Sequence, residues 1–459
     1  MQSQSLAMIA ADLRAGKVRS SDLVSAAAQR HAASEPVLNA YRTWAGERAK
    51  AQAAALDTLI SSGIDLGPLM GIPVSVKDLF GVPGLSTHAG TNAVFPKEWQ
   101  AAGPVVKALL AQMGVVTGKT HTVEFAFGGL GTNPHAGTPV NPWSSRETPR
   151  VPGGSSSGAG VSLAQGSALL ALGTDTAGSV RIPASFTGQT ALKITHGRWS
   201  LEGIVPLSPS LDTPGLLART VADLAYAFAA LDPQAPEPVA AADLSGLRIG
   251  VVRNTVWDDI EPSIAENTSQ ALRVLENAGA HVGDVTLACT EEALAIFRAG
   301  GLAAAELRAF LDRNFPERIA QLDPAVMARV EAVNDLTASD YLQRAANLAQ
   351  YGRTAAQAFD TFDVLVSPTI PVTAPTIAEV ADPDTYRKAN MLALRNTALA
   401  NLFGWCAATL PTGLDANGIP SGLQIMAPPM AERRLLAAAL AIETAIGSGP
   451  EMLGKAPLA

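Results

Sequence analysis

Apolar residues recur at helical spacing from the start of the chain: Leu6, Ile9 and Leu13 fall at i, i+3 and i+7 on one face. The pattern runs to about Leu59, with Ser20 and Ser21 ahead of Asp22 marking a helix start, and predicts an N-terminal helical layer over residues 1–64. From Gly71 the texture changes. Short β-branched runs bounded by turn residues, at 72–76, 115–117, 247–252 and 364–366, predict buried strands. Amphipathic stretches at 105–113, 221–231, 264–278 and 432–444 predict helices between them, and an apolar stretch at 161–172 continues this series. Strands alternating with helices point to an α/β layered fold. Residues 233–242, rich in Pro and Ala, suggest a linker, and 290–359 is almost wholly helical in pattern, as a cap over a site would be.

Composition narrows the class. Of 459 residues, 47% are hydrophobic and 16% charged, enough apolar side chain for a large core and too little charge for a disordered chain. Lys and Arg number 33 against 41 Asp and Glu, a net charge of −8 without like-charge runs, so electrostatic binding of nucleic acid or an anionic membrane is not expected. The longest apolar runs, 224–231 and 435–442, are eight residues each, against roughly 20 for a membrane span. The first residues read as an amphipathic helix and not a leader, so the chain is expected to be used as synthesised. Two cysteines, Cys289 and Cys406, form neither a disulfide framework nor a CxxC pair, which points to the cytoplasm.

The chemistry concentrates in two glycine and serine blocks, residues 152–160 and 173–183. The first leads into an apolar stretch, placing backbone N–H groups at a helix start where negative charge is stabilised. Gly154-Ser-Ser156-Ser-Gly158 also matches the GxSxG elbow, which would make Ser156 a nucleophile. That motif should follow a strand, yet residues 149–152 are Pro-Arg-Val-Pro, and only His196 and His281 lie downstream to serve as base. Gly114-Val-Val-Thr-Gly118-Lys119-Thr120 is one residue short of a P-loop, which disfavours a nucleotide-binding reading. The six histidines, His31, His88, His121, His135, His196 and His281, include no HxH or HExxH pattern, and no metal site or cofactor is expected.

Three separated motifs together resemble the amidase signature family: Gly71-Ile-Pro-Val-Ser-Val-Lys77-Asp78, Val151-Pro-Gly-Gly-Ser155-Ser-Ser-Gly, and Gly173-Thr-Asp-Thr-Ala-Gly-Ser179-Val-Arg181. The resemblance is dense over residues 65–230 and continues at Asn141-Pro-Trp143, through Leu211-Asp212-Thr-Pro-Gly, and at Gly418-Ile-Pro-Ser-Gly. It implies one α/β/α sandwich with a central mixed β-sheet covered by helices. Within it, 65–230 would be the signature core, 235–360 a mostly helical variable cap and 361–459 the completion of the core. It also implies a catalytic triad of Ser179 as nucleophile, Ser155 in a cis peptide as bridge, and Lys77 as base. The backbone N–H groups of Thr176, Ala177, Gly178 and Ser179 would form the oxyanion hole. Gly128, Gly129 and Thr132 match a substrate-side loop, and Asp78, Asp175 and Arg181 match positions around the triad, an Asp–Arg pair holding the loop. Ala177 stands where many members have Gly.

The chemistry of these residue types agrees. A serine hydroxyl needs a base within hydrogen-bond reach, and a lysine serves if desolvation populates its neutral amine. Lys77 lies among Val74, Val76, Leu79 and Phe80 at the end of an expected strand. The function implied is a cofactor-independent serine amidohydrolase acting through an acyl-enzyme on a small-molecule amide, anilide or carbamate, as a monomer or homodimer. A glutaminase subunit of a tRNA-dependent amidotransferase, or an allophanate or urea-derivative hydrolase, shares the triad and stays open.

Overall fold

The computed structural model describes residues 4–459. Helices α1 (Leu6–Arg14) and α2 (Ser20–Leu38), strand β1 (Tyr41–Trp44) and helix α3 (Gly46–Ser61) precede β2 (Pro73–Lys77). There follow α4 (Pro104–Ala111), β3 (Val115–Thr120), α5 (Ser157–Gln165), β4 (Leu170–Asp175), α6 (Arg181–Thr187), β5 (Thr190–Lys193), β6 (Thr213–Ala218) and α7 (Val221–Leu231). Next are β7 (Arg248–Val252), α8 (Pro262–Asn277) and β8 (His281–Val285), then α9 (Thr290–Arg298), α10 (Ala303–Asn314), α11 (Pro324–Glu331) and α12 (Ala338–Ala355). The chain closes with β9 (Val364–Pro368), α13 (Pro383–Leu402), β10 (Cys406–Leu414), β11 (Pro420–Ala427), α14 (Glu432–Ile446) and α15 (Gly449–Leu453).

The eleven strands among the described residues form one mixed sheet in the order β1-β3-β2-β4-β6-β5-β10-β11-β9-β7-β8. β2 runs parallel to both β3 and β4, while the central strands from β4 through β9 pair antiparallel. Side chains alternate between two cores, as the pleat requires. Leu170, Leu172, Leu192 and Leu216 enter the main core with Val74, Val76, Phe80 and Phe228. Ala171, Ala191 and Leu217 face Ala159, Leu163 and Ala184 of α5 and α6. Small residues on that second face let the glycine-rich helix α5 sit close against the sheet. No helix among the described residues is long and apolar enough to cross a membrane.

Two expectations are corrected. The helical run to Leu59 is interrupted by β1, an edge strand antiparallel to β3. Asn39 ends α2 in the left-handed region at φ 50°, and Tyr41 and Trp44 then pack across their new strand, the Tyr41 hydroxyl 2.9 Å from Ser167 Oγ and His31 stacked on Trp44 at 3.9 Å. Four residues are too few to show a period of two. The apolar stretch 161–172 is likewise not one helix, because Gly166 at φ 74° caps α5 and the chain re-enters the sheet as β4. Of the segment 235–360, β7 and β8 belong to the sheet and α8 packs on it, leaving α9 to α12 as the helical remainder. The short-spaced P-loop look-alike is no loop: residues 115–120 are buried strand β3, with Lys119 ion-paired to Asp78 at 3.0 Å.

Candidate active site

The parallel strands β2 and β4 end side by side, which brings Lys77 against Thr174 and Asp175 at their C-terminal edge. Lys77 is fully buried, and its Nζ donates to Ser155 Oγ at 2.9 Å and to Thr174 Oγ1 at 2.8 Å. Burial drives its ammonium down to about 7, the charges of Asp212 and Asp175 opposing that fall.

Ser155 follows a cis peptide from Gly154. Its carbonyl accepts from Val123 N at 3.2 Å, and Ser156 N donates to the carbonyl of Ser179 at 3.1 Å, joining the two serine segments. No hydrogen bond links the Ser155 and Ser179 hydroxyls among the described residues; the two segments are joined through the Ser156 N–H. Ser156, the alternative nucleophile, is buried at the start of α5 with its hydroxyl donating to the Thr174 carbonyl at 3.3 Å. His196 turns its Nε2 to the Pro209 carbonyl at 2.8 Å and is no base for it.

Asp175 organises the loop from 176 to 180. Its carboxylate accepts from Gly178 N at 2.8 Å, Val180 N at 3.2 Å, Arg181 Nε at 3.0 Å and Asn401 Nδ2 at 2.9 Å. Burial alone would push this acid up, but the Arg181 guanidinium and these donors bring it to about 2. Arg181 is itself fully buried and also reaches the Thr397 carbonyl, Gln424 and Asn401. Arg181→Met therefore leaves a carboxylate unpaired in the core and is expected to cost about 3–5 kcal/mol of folding free energy. Urea denaturation at neutral pH measures it; a loss below about 1 kcal/mol would show that the network is dispensable.

Of the four N–H groups expected to form an oxyanion hole, that of Gly178 donates to Asp175, while those of Thr176, Ala177 and Ser179 have no partner among the described residues. Thr176 is anchored by its side chain, which donates to Asp212 Oδ1 at 2.5 Å. Asp212 lies in a stretch matched in the sequence but was given no role there. The antiparallel register Asp175↔Thr213 places it beside Thr176, and no sequence period marks that contact. Its carboxyl is pushed up to about 6 by burial, against hydrogen bonds from Thr176, Ser208 and Leu207 and the charge of Lys77. Asp78 does not join Arg181; it pairs with Lys119 and accepts from His88 N at 3.1 Å, holding the segment after β2.

The glycine loop has a packing role beyond the one expected. Gly153 N and Gly154 N donate to the carbonyls of Leu130 and Gly129 at 3.0 and 2.7 Å, so the loop pairs with the turn before Ser155. A Cβ on Gly154 would lie 2.6 Å from Gly131 N, and one on Gly131, at φ 93°, 2.5 Å from the Gly153 carbonyl oxygen. The N–H groups of Gly128 and Gly129 are taken by the Ala126 carbonyl and Asn390 Oδ1, and Thr132 stands half-buried beyond them. Among the described residues no three His, Cys, Asp or Glu side chains converge as a metal ligand set would.

Comparison with known proteins sets this geometry among enzymes. Residues 22–436 match the family model described as Amidase. A 2-amino-5-chloromuconic acid deaminase from Comamonas testosteroni is 58% identical over 98% of each chain. A glutamyl-tRNA(Gln) amidotransferase subunit from Acidothermus cellulolyticus is 35% identical over 95% of this chain and 93% of that one. A solved structure described as an amidase superposes with a TM-score of 0.88 at 29% identity, covering 97% of this chain and 100% of its own.

Proposed function

The chain belongs to the amidase family and hydrolyses C–N bonds, and from that premise we propose that it removes ammonia from a 2-aminomuconic acid, with Ser179 as nucleophile and Ser155 and Lys77 as its proton relay. The substrate class rests on the 58% identity to the deaminase over nearly the whole of both chains. The mechanism is supported by one observation: a buried lysine whose ammonium is lowered by burial, hydrogen-bonded to the serine whose neighbour in sequence is joined to Ser179.

A 2-aminomuconic acid carries its nitrogen on C2, a trigonal carbon. Its imine tautomer presents C2 to a nucleophile as an amide presents its carbonyl carbon. Ser179 Oγ adds to C2, its proton passing through Ser155 to Lys77, and the C=N electron pair moves onto nitrogen. The relay returns a proton, a second proton is taken up, and nitrogen leaves as ammonia. Water then adds to C2 with loss of that second proton, and the C2–Oγ bond breaks as Ser179 regains its hydrogen, leaving a 2-oxo acid. The unpartnered N–H groups of Thr176, Ala177 and Ser179 face the C1 carboxylate beside C2, or the oxyanion when the substrate is an amide. On an amide the same relay gives an acyl-enzyme.

Purified protein alone is expected to release ammonia in step with the consumption of 2-amino-5-chloromuconic acid or its unchlorinated parent, without ATP. Ammonia released from glutamine while both acids are left intact would replace this reading by an amidotransferase-type glutaminase.

A further inference from the structure

Two carboxylates hold the nucleophile loop, one at each end. Asp175, at the end of β4, takes Gly178 N and Val180 N, whereas Thr176 is tied by its hydroxyl to Asp212. The other oxygen of Asp212, Oδ2, accepts from Leu207 N and Ser208 N, each at 2.9 Å, in the turn that precedes it. Packing alone does not fix that turn. A cavity of about 260 Å³ opens beside it, lined by Trp99, Ile204, Pro206, Pro209 and Asp212 itself. Apolar contact therefore leaves the turn room to shift, and directed polar ties have to hold it.

The tie comes from the helical segment over the sheet. Ser208 is fully buried and touches both acids: its N–H donates to Asp212, and its hydroxyl donates to Glu306 Oε2 at 2.8 Å. The same Glu306 oxygen accepts from Ser210 N at 3.1 Å, and Oε1 accepts from the Tyr341 hydroxyl of α12 at 2.5 Å. Glu306 stands in the first turn of α10, where the free N–H groups of a helix favour negative charge, and Leu307 and Leu311 seat that helix in the main core. Three neutral donors thus hold a half-buried carboxylate on a rigid support.

We propose that Glu306 is a positioning residue for catalysis: through Ser208 and Asp212 it fixes the direction of the Thr176 N–H, so that the helical segment sets the rate of the chemical step without touching substrate. The inference rests on Ser179 as nucleophile and goes beyond that reading, because the relay involves neither Glu306 nor Ser208. Charge at an oxyanion develops opposite the loop only in the transition state. A slightly misdirected donor loses much of its hold on that charge while the ground state binds nearly as well, so the loss falls on the saturated rate and not on affinity.

The test reads the loop with a serine-directed fluorophosphonate, whose phosphoryl oxygen gains negative charge as Ser179 Oγ bonds to phosphorus and fluoride departs. In Glu306→Ala and in Ser208→Ala the labelling rate at saturation should fall at least about tenfold, while the half-saturating concentration stays within about threefold. Glu306→Gln, which keeps one accepting oxygen, should fall between Glu306→Ala and wild type. The double variant Glu306→Ala/Ser208→Ala should be no slower than the slower single one, because both cut the same path. Ser208→Ala and Glu306→Gln carry the comparison if Glu306→Ala does not fold. In protein carrying 15N-threonine, the Thr176 amide resonance should move in each slowed variant while that of Thr43, on the edge strand β1, stays in place. Wild-type labelling rates in Ser208→Ala and Glu306→Gln, a weaker half-saturation at an unchanged saturated rate, losses that multiply in the double variant, or an unmoved Thr176 resonance would overturn the assignment. Should the wild-type protein label elsewhere than Ser179, the nucleophile reading fails, and the Thr176 resonance still decides whether Glu306 reaches the loop.

Discussion

Ser179→Ala is expected to yield a folded protein whose kcat/KM is at least about a thousandfold below wild type, a loss of roughly 4 kcal/mol of transition-state stabilisation. The side chain is small, its hydroxyl has no hydrogen-bond partner among the described residues, and the loop around it is held by Asp175 and not by Ser179 itself. Stability should therefore change by less than about 1 kcal/mol while the covalent route disappears. Ser156→Ala is the control. Its hydroxyl donates to the Thr174 carbonyl, so its removal should perturb packing beside Lys77 and lower activity far less. Steady-state kinetics and thermal melts of the two variants separate them. An active Ser179→Ala beside an inactive Ser156→Ala would transfer the nucleophile to the GxSxG match.

The second large effect concerns Lys77. Arginine keeps the charge and much of the reach but does not give up a proton near neutral pH, its pKa lying above about 12. If the free amine is the base, Lys77→Arg should lose at least about a hundredfold, nearly as much as Lys77→Ala. The wild-type profile follows from the same group. Desolvation holds the ammonium at about 7, so below that value the basic form, and with it the single-turnover rate, should fall about tenfold per pH unit. Above about pH 8 the rate should level off, well before the ordinary lysine value of about 10.4. Single-turnover measurements from pH 5 to 10, with folding checked by circular dichroism, read both. A folded Lys77→Arg protein retaining a tenth of the wild-type rate would reduce Lys77 to a fixed cation.

What the sequence disclosed and what it concealed follow from how each group reaches the site. Lys77, Ser155, Ser179, Asp175 and Arg181 lie in short motifs whose residue types announce their chemistry, and the strand that carries Lys77 reads as a β-branched run, whereas the one that carries Asp175 is hidden in an apolar stretch continuous with α5. Asp212 and Thr174 become partners of that site only through ladder register. The inward turn of the Gly178 N–H is a matter of loop dihedrals, with Gly178 at φ 134°, and residue identity alone does not state it. The glycines at 128–131 were legible as a loop. Their role in packing against the turn at 153–154 needed the tertiary contact. β1 was hidden because four residues between two long helices carry almost no periodic signal.

The central claim is that Ser179 is the nucleophile, activated through Ser155 by Lys77. The direct measurement is intact-mass analysis and peptide mapping after reaction with a serine-directed fluorophosphonate, which adds phosphonate to the activated hydroxyl and expels fluoride. One phosphonate per chain on Ser179, abolished in Ser179→Ala and strongly slowed in Lys77→Ala, is the result expected. Modification of Ser156, or labelling of Ser179 at the same rate with and without the Lys77 amine, would contradict it.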